Sequence, residues 1–201
     1  MNNGIKEDIR TLEIFCFDSI QIKDRTTFIY LVVRRAHVSQ NTGNNEWYTP
    51  SEIIEAARSV LGVIDVDPAS TKKVNKVVKA KIFYTKETDG LTKKWKGNVW
   101  MNPPYARLLV RQFMATIVHK IESGEVTQAI VLVNNATETE WFKKLADICS
   151  VVCFPTGRIK FIDPDGNPSG HPLQGQAILY FGNNKVGFNK HFAEFGLLLW
   201  K

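Results

Sequence analysis

The chain has 201 residues, of which 44% are apolar and 23% are charged. This balance is typical of one globular domain, with room for a small appendage, and not of a disordered chain. No apolar run approaches the ~18 residues of a membrane span, and the first residues lack a signal-peptide pattern. The three cysteines and four histidines show no metal-ligand spacing. We therefore expect a cytoplasmic protein with no membrane span and no bound metal.

The positive charge is concentrated in one stretch of the chain. The formal net charge is +6. Residues 72–96 contain nine lysines against only Glu87 and Asp89, a local charge of +7, so the remainder is close to neutral. A focused basic region favours a polyanion such as nucleic acid as the partner. A solvated helical face with surplus lysines is the alternative interpretation.

The first part of the chain differs from the rest. Residues 14–17 and 27–33 predict two strands, which could form a hairpin. We therefore expect residues 1–36 to form an N-terminal β-rich extension, and this extension carries no recognisable chemistry. Residues 37–47 are polar and contain several asparagines and a glycine, which predicts a linker or lid.

The first predicted helix begins near residue 49. Thr49 can cap it, Pro50 suits the first helical position, and Glu52 completes a capping box. Apolar residues then recur at helical spacing up to Gly62. Residues 63–66 predict a short strand that ends at Asp67.

Strands and helices alternate through the rest of the chain. Strands are predicted at residues 81–85, 98–101, 129–134 and 150–154, and helices at 106–123 and 138–148, the second with Thr137 as a possible cap. Residues 158–162 and 176–181 predict a hairpin joined by a long turn-rich loop. This order predicts an α/β fold with a mostly parallel sheet, helices on both faces and an antiparallel C-terminal edge.

The tetrapeptide Asn102-Pro103-Pro104-Tyr105 follows one of the predicted strands. Two prolines cannot lie inside a central strand, so they belong to the loop at its carboxyl end, where α/β sheets bind ligands. The loop offers carbonyl acceptors, an amide side chain and an aromatic face. A planar –NH2 group needs acceptors for both hydrogens and a surface on which its ring can stack. A proline-rich turn with a core tyrosine is the alternative.

This tetrapeptide resembles the catalytic motif of amino-methyltransferases that use S-adenosylmethionine. Residues 45–50 precede a helix, residues 65–70 follow a strand, and Asn102 follows a later strand. Their order and spacing are similar to those of the phage and prophage DNA N6-adenine methyltransferases, over about residues 37–182. The resemblance implies a Rossmann-like methyltransferase domain at residues 37–201, in a bacterial host cytoplasm if a phage encodes it.

The resemblance implies a cofactor site for S-adenosylmethionine. Tyr48, Thr49 and Pro50 would close over its methionine part, where a helix N-terminus also favours a carboxylate. Asp67 would bind the α-ammonium group. Asp65 is an alternative, because side chains two apart on a strand share a face.

Further cofactor contacts follow from the same resemblance. The usual Gly-x-Gly turn is replaced by Pro68, Ala69 and Ser70 after the aspartate, and this segment would line the cofactor. Asp89 would contact the adenine amino group, although Asp-Gly is equally a common turn. Glu87 is a weak candidate for binding the ribose hydroxyls.

The resemblance also implies the chemistry. The Asn102 oxygen and the Pro103 carbonyl would accept hydrogen bonds from the target amino group, Pro104 would stiffen the loop, and Tyr105 would stack on the base. Transfer would be direct, and an adenine in a duplex would first have to flip out.

DNA binding is predicted at two segments. Lys72, Lys73 and Lys76 would contact phosphates. Arg158, Lys160 and Phe161 resemble a DNA-facing segment of the family, with an ordinary edge hairpin as the alternative. Methylation of cytosine N4, of an RNA base or of a protein amide remains chemically possible, as does a DNA-binding protein that has lost its activity.

Overall fold

The computed structural model describes residues 47–163, 165–168 and 174–200, all within the compact unit Asn41–Lys201. The predicted N-terminal extension, residues 1–36, and nearly all of the predicted linker lie outside the described residues. Among the described helices, none combines the length and the apolar character needed to cross a bilayer.

The described part of the chain alternates between helices and strands. The helices are α1 (Ser51–Leu61), α2 (Asn75–Val78), α3 (Arg107–Glu122), α4 (Glu140–Ile148) and α5 (Lys185–Phe192), with a 3-10 turn at Gly90–Thr92. The strands are β1 (Val66–Asp67), β2 (Ile82–Phe83), β3 (Gly97–Met101), β4 (Val126–Asn134), β5 (Val151–Pro155), β6 (Gln176–Phe181) and β7 (Gly196–Trp200).

These strands form one sheet in the order β2-β1-β3-β4-β6-β5-β7. Strands β1 to β4 pair in parallel. Strand β6 runs antiparallel to both β4 and β5, so β5 points the same way as the first four strands. Strand β7 is antiparallel to β5. The predicted mostly parallel α/β sheet with antiparallel strands towards the C-terminus is therefore confirmed.

The strand order reverses next to β1. The chain passes from β1 to β2 on one side and then crosses to β3 on the other side of β1. The connections that leave β1 and β3 therefore diverge, and a crevice opens between the carboxyl ends of these two strands. In open α/β sheets such a switch point is where ligands bind.

The sheet is covered on both faces, as predicted. Alternate strand residues point to opposite faces. Trp100 and its equivalents on neighbouring strands pack with α1 and α5, while Val99 and Met101 pack with α3 and α4. Because Asn102 is two residues beyond Trp100, its side chain points to the α1 side.

Two predicted helix starts were wrong. Helix α1 begins at Ser51, Pro50 is the residue before it, and no side chain caps it. The Thr49 hydroxyl instead accepts a hydrogen bond from Asn102. Helix α4 is capped by Thr139, whose hydroxyl accepts from the Phe142 N–H at 3.3 Å, and not by Thr137.

The predicted hairpin of residues 158–162 and 176–181 was also wrong. Strand β6 is buried along its whole length and lies between β4 and β5, so both of its edges are already paired. Residues 158–162 form no strand and make only two isolated bridges, from Ile162 to Tyr48 and from Ile162 to Pro168. Helix α5 and strand β7 had not been predicted, although Phe188 and Phe192 have the four-residue spacing of a buried helical face.

Candidate active site

A cavity of about 620 Å³ lies at the carboxyl ends of β1 and β3. This volume is in the usual range for a small-molecule site. The described residues that line it include most of the predicted cofactor and catalytic residues: Tyr48, Thr49, Asp67, Pro68, Ala69, Ser70, Asp89, Asn102, Pro103, Pro104 and Tyr105. The fold therefore brings together segments that are more than fifty residues apart in the sequence.

The amide of Asn102 is held in one orientation. Its Nδ2 donates to the Trp47 carbonyl at 3.0 Å and lies 3.2 Å from the Thr49 hydroxyl. Its Oδ1 accepts from the Tyr105 hydroxyl at 2.9 Å. Because a carbonyl can only accept, the atom facing Trp47 must be the nitrogen. The oxygen is therefore fixed on the opposite side of the amide.

Tyr105 supports this arrangement from within the loop. Its hydroxyl lies 2.9 Å from Asn102 Oδ1 and 3.5 Å from the Leu132 carbonyl. Burial raises the pKa of the Tyr105 hydroxyl above its ordinary value, so the group remains a neutral donor. The ring is only partly buried and contributes to the cavity wall.

Asp67 places a carboxyl group in the wall of the same cavity. The residue is 1% exposed, and burial raises the pKa of its carboxyl to about 7. The nearby Ser70 hydroxyl and the Ala69 N–H, 3.2 Å from Oδ1, oppose this effect only in part. No described Lys, Arg or His forms an ion pair with it. A cationic ligand in the cavity would therefore stabilise the ionised carboxylate strongly.

Asp65 lies at the other end of β1. Its carboxylate accepts from Lys81 Nζ and from the Asn98 N–H, both at 2.9 Å. Gly97, with φ 86°, leaves room for this contact, since a Cβ there would be 2.5 Å from the carboxylate. Asp65 does not line the cavity. Of the two aspartates proposed from the sequence, the fold brings only Asp67 to the site.

The Asp89-Gly90 pair forms another part of the wall. Gly90 passes so close to the loop after β1 that a Cβ would lie 2.0 Å from the Pro68 carbonyl oxygen. The buried Trp95 Nε1 donates to the Gly90 carbonyl at 2.8 Å and fixes the turn. Asp89 accepts from the Leu91 N–H at 3.2 Å and lines the cavity, as does Glu87.

Residues 47–50 form a wall between the cavity and a neighbouring groove, which is called the second groove below. Tyr48 exchanges two backbone hydrogen bonds with Ile162, at 2.9 and 2.8 Å. The ammonium of Lys73 lies 5.9 Å from the centre of the Tyr48 ring, within cation–π range. Pro50 lines the groove and not the cavity.

The second groove has a volume of about 760 Å³. Lys73, Arg158 and Lys160 supply positive charge to it, and Glu52 and Glu194 supply negative charge. Its remaining described lining is largely apolar.

The residues predicted to bind DNA therefore lie in different places. Lys72 lines the cavity, and Lys73, Arg158 and Lys160 line the groove. Lys76 is exposed and lines neither of them.

Phe161 was predicted to face DNA, and this prediction was wrong. The side chain is buried in the core on the α1 side of the sheet. Along this extended segment Ile159 and Phe161 point inward, whereas Arg158 and Lys160 are exposed. The alternation of basic and apolar residues therefore reflects a segment with one face in the core and the other in solvent.

Several cavity residues were missed from the sequence. Trp100 and Phe113 line the cavity with Leu109. Trp100 could have been found, because it precedes Asn102 by two residues and so shares its face. The contribution of Trp47 is a backbone carbonyl, for which no side-chain signal exists.

A protein-family model described as DNA N-6-adenine-methyltransferase (Dam) matches residues 36–184. The match covers about three quarters of the 201-residue chain and includes every element that lines the cavity. No curated protein gives a significant match to the chain.

Proposed function

We propose that this chain, which belongs to the DNA N-6-adenine-methyltransferase (Dam) family, transfers a methyl group from S-adenosylmethionine to the exocyclic N6 of adenine in DNA. One observation carries the proposal. The fixed amide of Asn102 and the buried carboxyl of Asp67 face one cavity at the switch point of the sheet. Such a cavity can hold a cationic cofactor beside a planar amino group.

The described residues fit the cofactor. Asp67 provides a buried carboxylate for its α-ammonium group, and Asp89 provides an exposed acceptor for its adenine amino group. Tyr48 and Thr49 would enclose its methionine part from the α1 side. When bound there, S-adenosylmethionine supplies an electrophilic methyl group on its sulfonium.

The loop after β3 would then orient the target nitrogen. Asn102 Oδ1 has a second lone pair beyond the one that Tyr105 uses, and the Pro103 carbonyl is a neighbouring acceptor. When both amino hydrogens are bound, the nitrogen lone pair leaves conjugation with the ring and becomes nucleophilic. The nitrogen would form a bond to the methyl carbon as the bond from that carbon to the sulfonium sulfur breaks. The neutral thioether S-adenosylhomocysteine would leave, and the nitrogen would lose one proton to water. Catalysis therefore depends mainly on positioning.

The DNA would approach the carboxyl edge of the sheet. The target adenine must leave the duplex, at a cost of a few kcal/mol, before it can enter the cavity. Lys72 lines the cavity and Lys73, Arg158 and Lys160 line the groove, and these cations would contact phosphates of the DNA. The ring of Tyr105 would stack on the flipped base, at roughly 1–3 kcal/mol.

The test is incubation of the full chain with unmethylated duplex DNA and methyl-labelled S-adenosylmethionine, followed by nucleoside mass spectrometry. We expect label in N6-methyladenine and none with the Asn102→Ala variant. Label in N4-methylcytosine would keep the mechanism and change the base. Cofactor binding without labelled DNA would point to an RNA or a protein amide. Absence of cofactor binding would favour a DNA-binding protein without activity.

A further inference from the structure

Helix α3 starts with an apolar side chain that does not belong to the core. The buried residues of this helix are Val110, Phe113, Met114 and Ile117, which follow the spacing of one helical face. Leu108 lies outside this face and is 73% exposed. Packing within the described chain therefore gives no reason for a leucine at this position.

Leu108 is close in sequence to residues that line the active-site cavity, although it is not itself a lining residue. It follows Tyr105 by three residues, and Ala106 and Leu109 on either side of it line the cavity. The start of α3 also lies at the carboxyl edge of the sheet, directly after β3. A duplex that delivers a base to Asn102 must pass this edge.

Two arginines flank the exposed leucine. Arg107 and Arg111 are exposed, and they are four residues apart, so they share one face of the helix. Neither makes an ion pair or a side-chain hydrogen bond with another described residue. The first turn of α3 contains no acid. A cation in the first turn opposes the helix dipole, so helix stability does not explain Arg107.

A single exposed leucine is common on protein surfaces and needs no explanation. Here it lies next to two cations that have no partner among the described residues, near a cavity that takes a flipped base under the proposed function. The charge favours a polyanion and disfavours an apolar protein partner. An apolar side chain beside phosphate-binding residues is suited to entering the gap between stacked bases.

We propose that Leu108 enters the duplex in place of the flipped adenine, while Arg107 and Arg111 bind the adjacent phosphates. The vacated position would otherwise leave the neighbouring bases unstacked on one side. Leu108 is thus a positioning residue, because it holds the target outside the duplex without touching the reacting atoms. This inference rests on the proposed function.

The test compares Leu108→Ala with a matched control, Val186→Ala. Val186 is 77% exposed, is on α5 and lines neither the cavity nor the groove. The substrates are a duplex containing a site that the wild-type protein methylates, and the same duplex with an abasic position opposite the target. We expect Leu108→Ala to lower kcat/KM on the paired duplex roughly tenfold and to have little effect on the abasic one. Leu108→Met should retain most of the activity.

A second readout does not depend on turnover. With 2-aminopurine at the target position, we expect Leu108→Ala to reduce the rise in fluorescence that accompanies flipping, with unchanged cofactor affinity. An equal loss of kcat/KM on both duplexes, or no loss on the paired one, would overturn the role of Leu108. Neutralising Arg107 and Arg111 should lower affinity on both duplexes alike and reduce the salt slope by about one per arginine.

The experiments distinguish failure of the proposed function from failure of the inference about Leu108. If the wild-type protein methylates neither duplex nor single-stranded DNA, the proposed function fails and this inference fails with it. If the wild-type protein methylates both duplexes and Leu108→Ala behaves as the Val186 control does, only the inference about Leu108 is overturned.

Discussion

Two aspartates at opposite ends of β1 have nearly the same sequence context but different surroundings. Asp65, at the amino end, is paired with Lys81 and with the Asn98 N–H. Burial opposes its ionisation, but these hydrogen bonds outweigh it and hold the pKa of Asp65 below its ordinary value. Asp67, at the carboxyl end, forms no ion pair with a described residue, and burial raises its pKa to about 7.

The difference is that an ion pair within the protein stabilises the negative charge of Asp65, whereas no described cation does so for Asp67. A buried carboxyl that lacks a cation costs folding free energy unless it is protonated or meets a ligand. Such a group is expected where a ligand binds, and the switch point of the sheet is such a place. The amino end of the same strand carries structural pairing only.

The largest effect is expected at the carboxyl end of β3. Asn102→Ala removes the proposed acceptor for the target amino group and should lower kcat roughly a hundredfold to a thousandfold or more, with cofactor affinity unchanged. The control is Asn98→Ala at the amino end of the same strand, where the amide donates to the Leu61 and Val63 carbonyls. It should lower the free energy of unfolding and leave kcat near normal. Near-normal methyl transfer by Asn102→Ala would refute the central claim.

The aspartates provide a second test. Asp67→Asn removes the proposed partner of the cofactor ammonium and should weaken S-adenosylmethionine binding roughly tenfold to a hundredfold by calorimetry. Asp65→Asn breaks a partly exposed ion pair outside the cavity, so it should leave that affinity unchanged and lower the free energy of unfolding by about 1 kcal/mol or less. Equal affinity in both variants would remove Asp67 from the cofactor site.

The pH dependence should follow from the raised pKa of Asp67. A cationic cofactor binds the ionised carboxyl, so its affinity should rise as pH increases towards about 7 and then level off. In the absence of cofactor, the stability of the protein changes with pH in the opposite direction. Between the usual pKa of 3.8 and about 7, only the folded state keeps the proton, so stability is lost as pH rises through this window. Calorimetry and urea unfolding from pH 5 to 8 should show both trends in the wild type and neither in Asp67→Asn.

The fold was largely predictable because its signals are local. Alternating strands and helices, and prolines after β3, indicate a parallel sheet with a loop at its carboxyl edge. Asp67 was the first candidate for the cofactor site, but the sequence could not exclude Asp65, because periodicity shows which face a side chain takes and not which end of the strand is at the cavity. The burial of Phe161 depends in the same way on tertiary contacts.

The hydrogen bonds that fix Asn102 could not be predicted from side-chain types. They depend on the Trp47 carbonyl and on a Thr49 hydroxyl that has the local signature of a helix cap. In the fold, the hydroxyl is used by the active-site amide because Pro50 precedes α1 and leaves that helix without a side-chain cap. Local and tertiary hydrogen-bonding needs compete for the same group, and the sequence alone does not reveal which one prevails.

The smallest effect is expected from the lysines. It tests whether Lys72, Lys73 and Lys76 contribute more to DNA binding than lysines elsewhere in the basic stretch. Changing Lys72, Lys73 and Lys76 to Gln should make the dependence of log affinity for DNA on log salt shallower by about 2–3. The control triple changes Lys93, Lys94 and Lys96 to Gln, which removes the same charge from residues that line neither the cavity nor the groove. If both triples change the slope equally, DNA senses only net charge, and the first three lysines are a solvated surface without a defined phosphate contact.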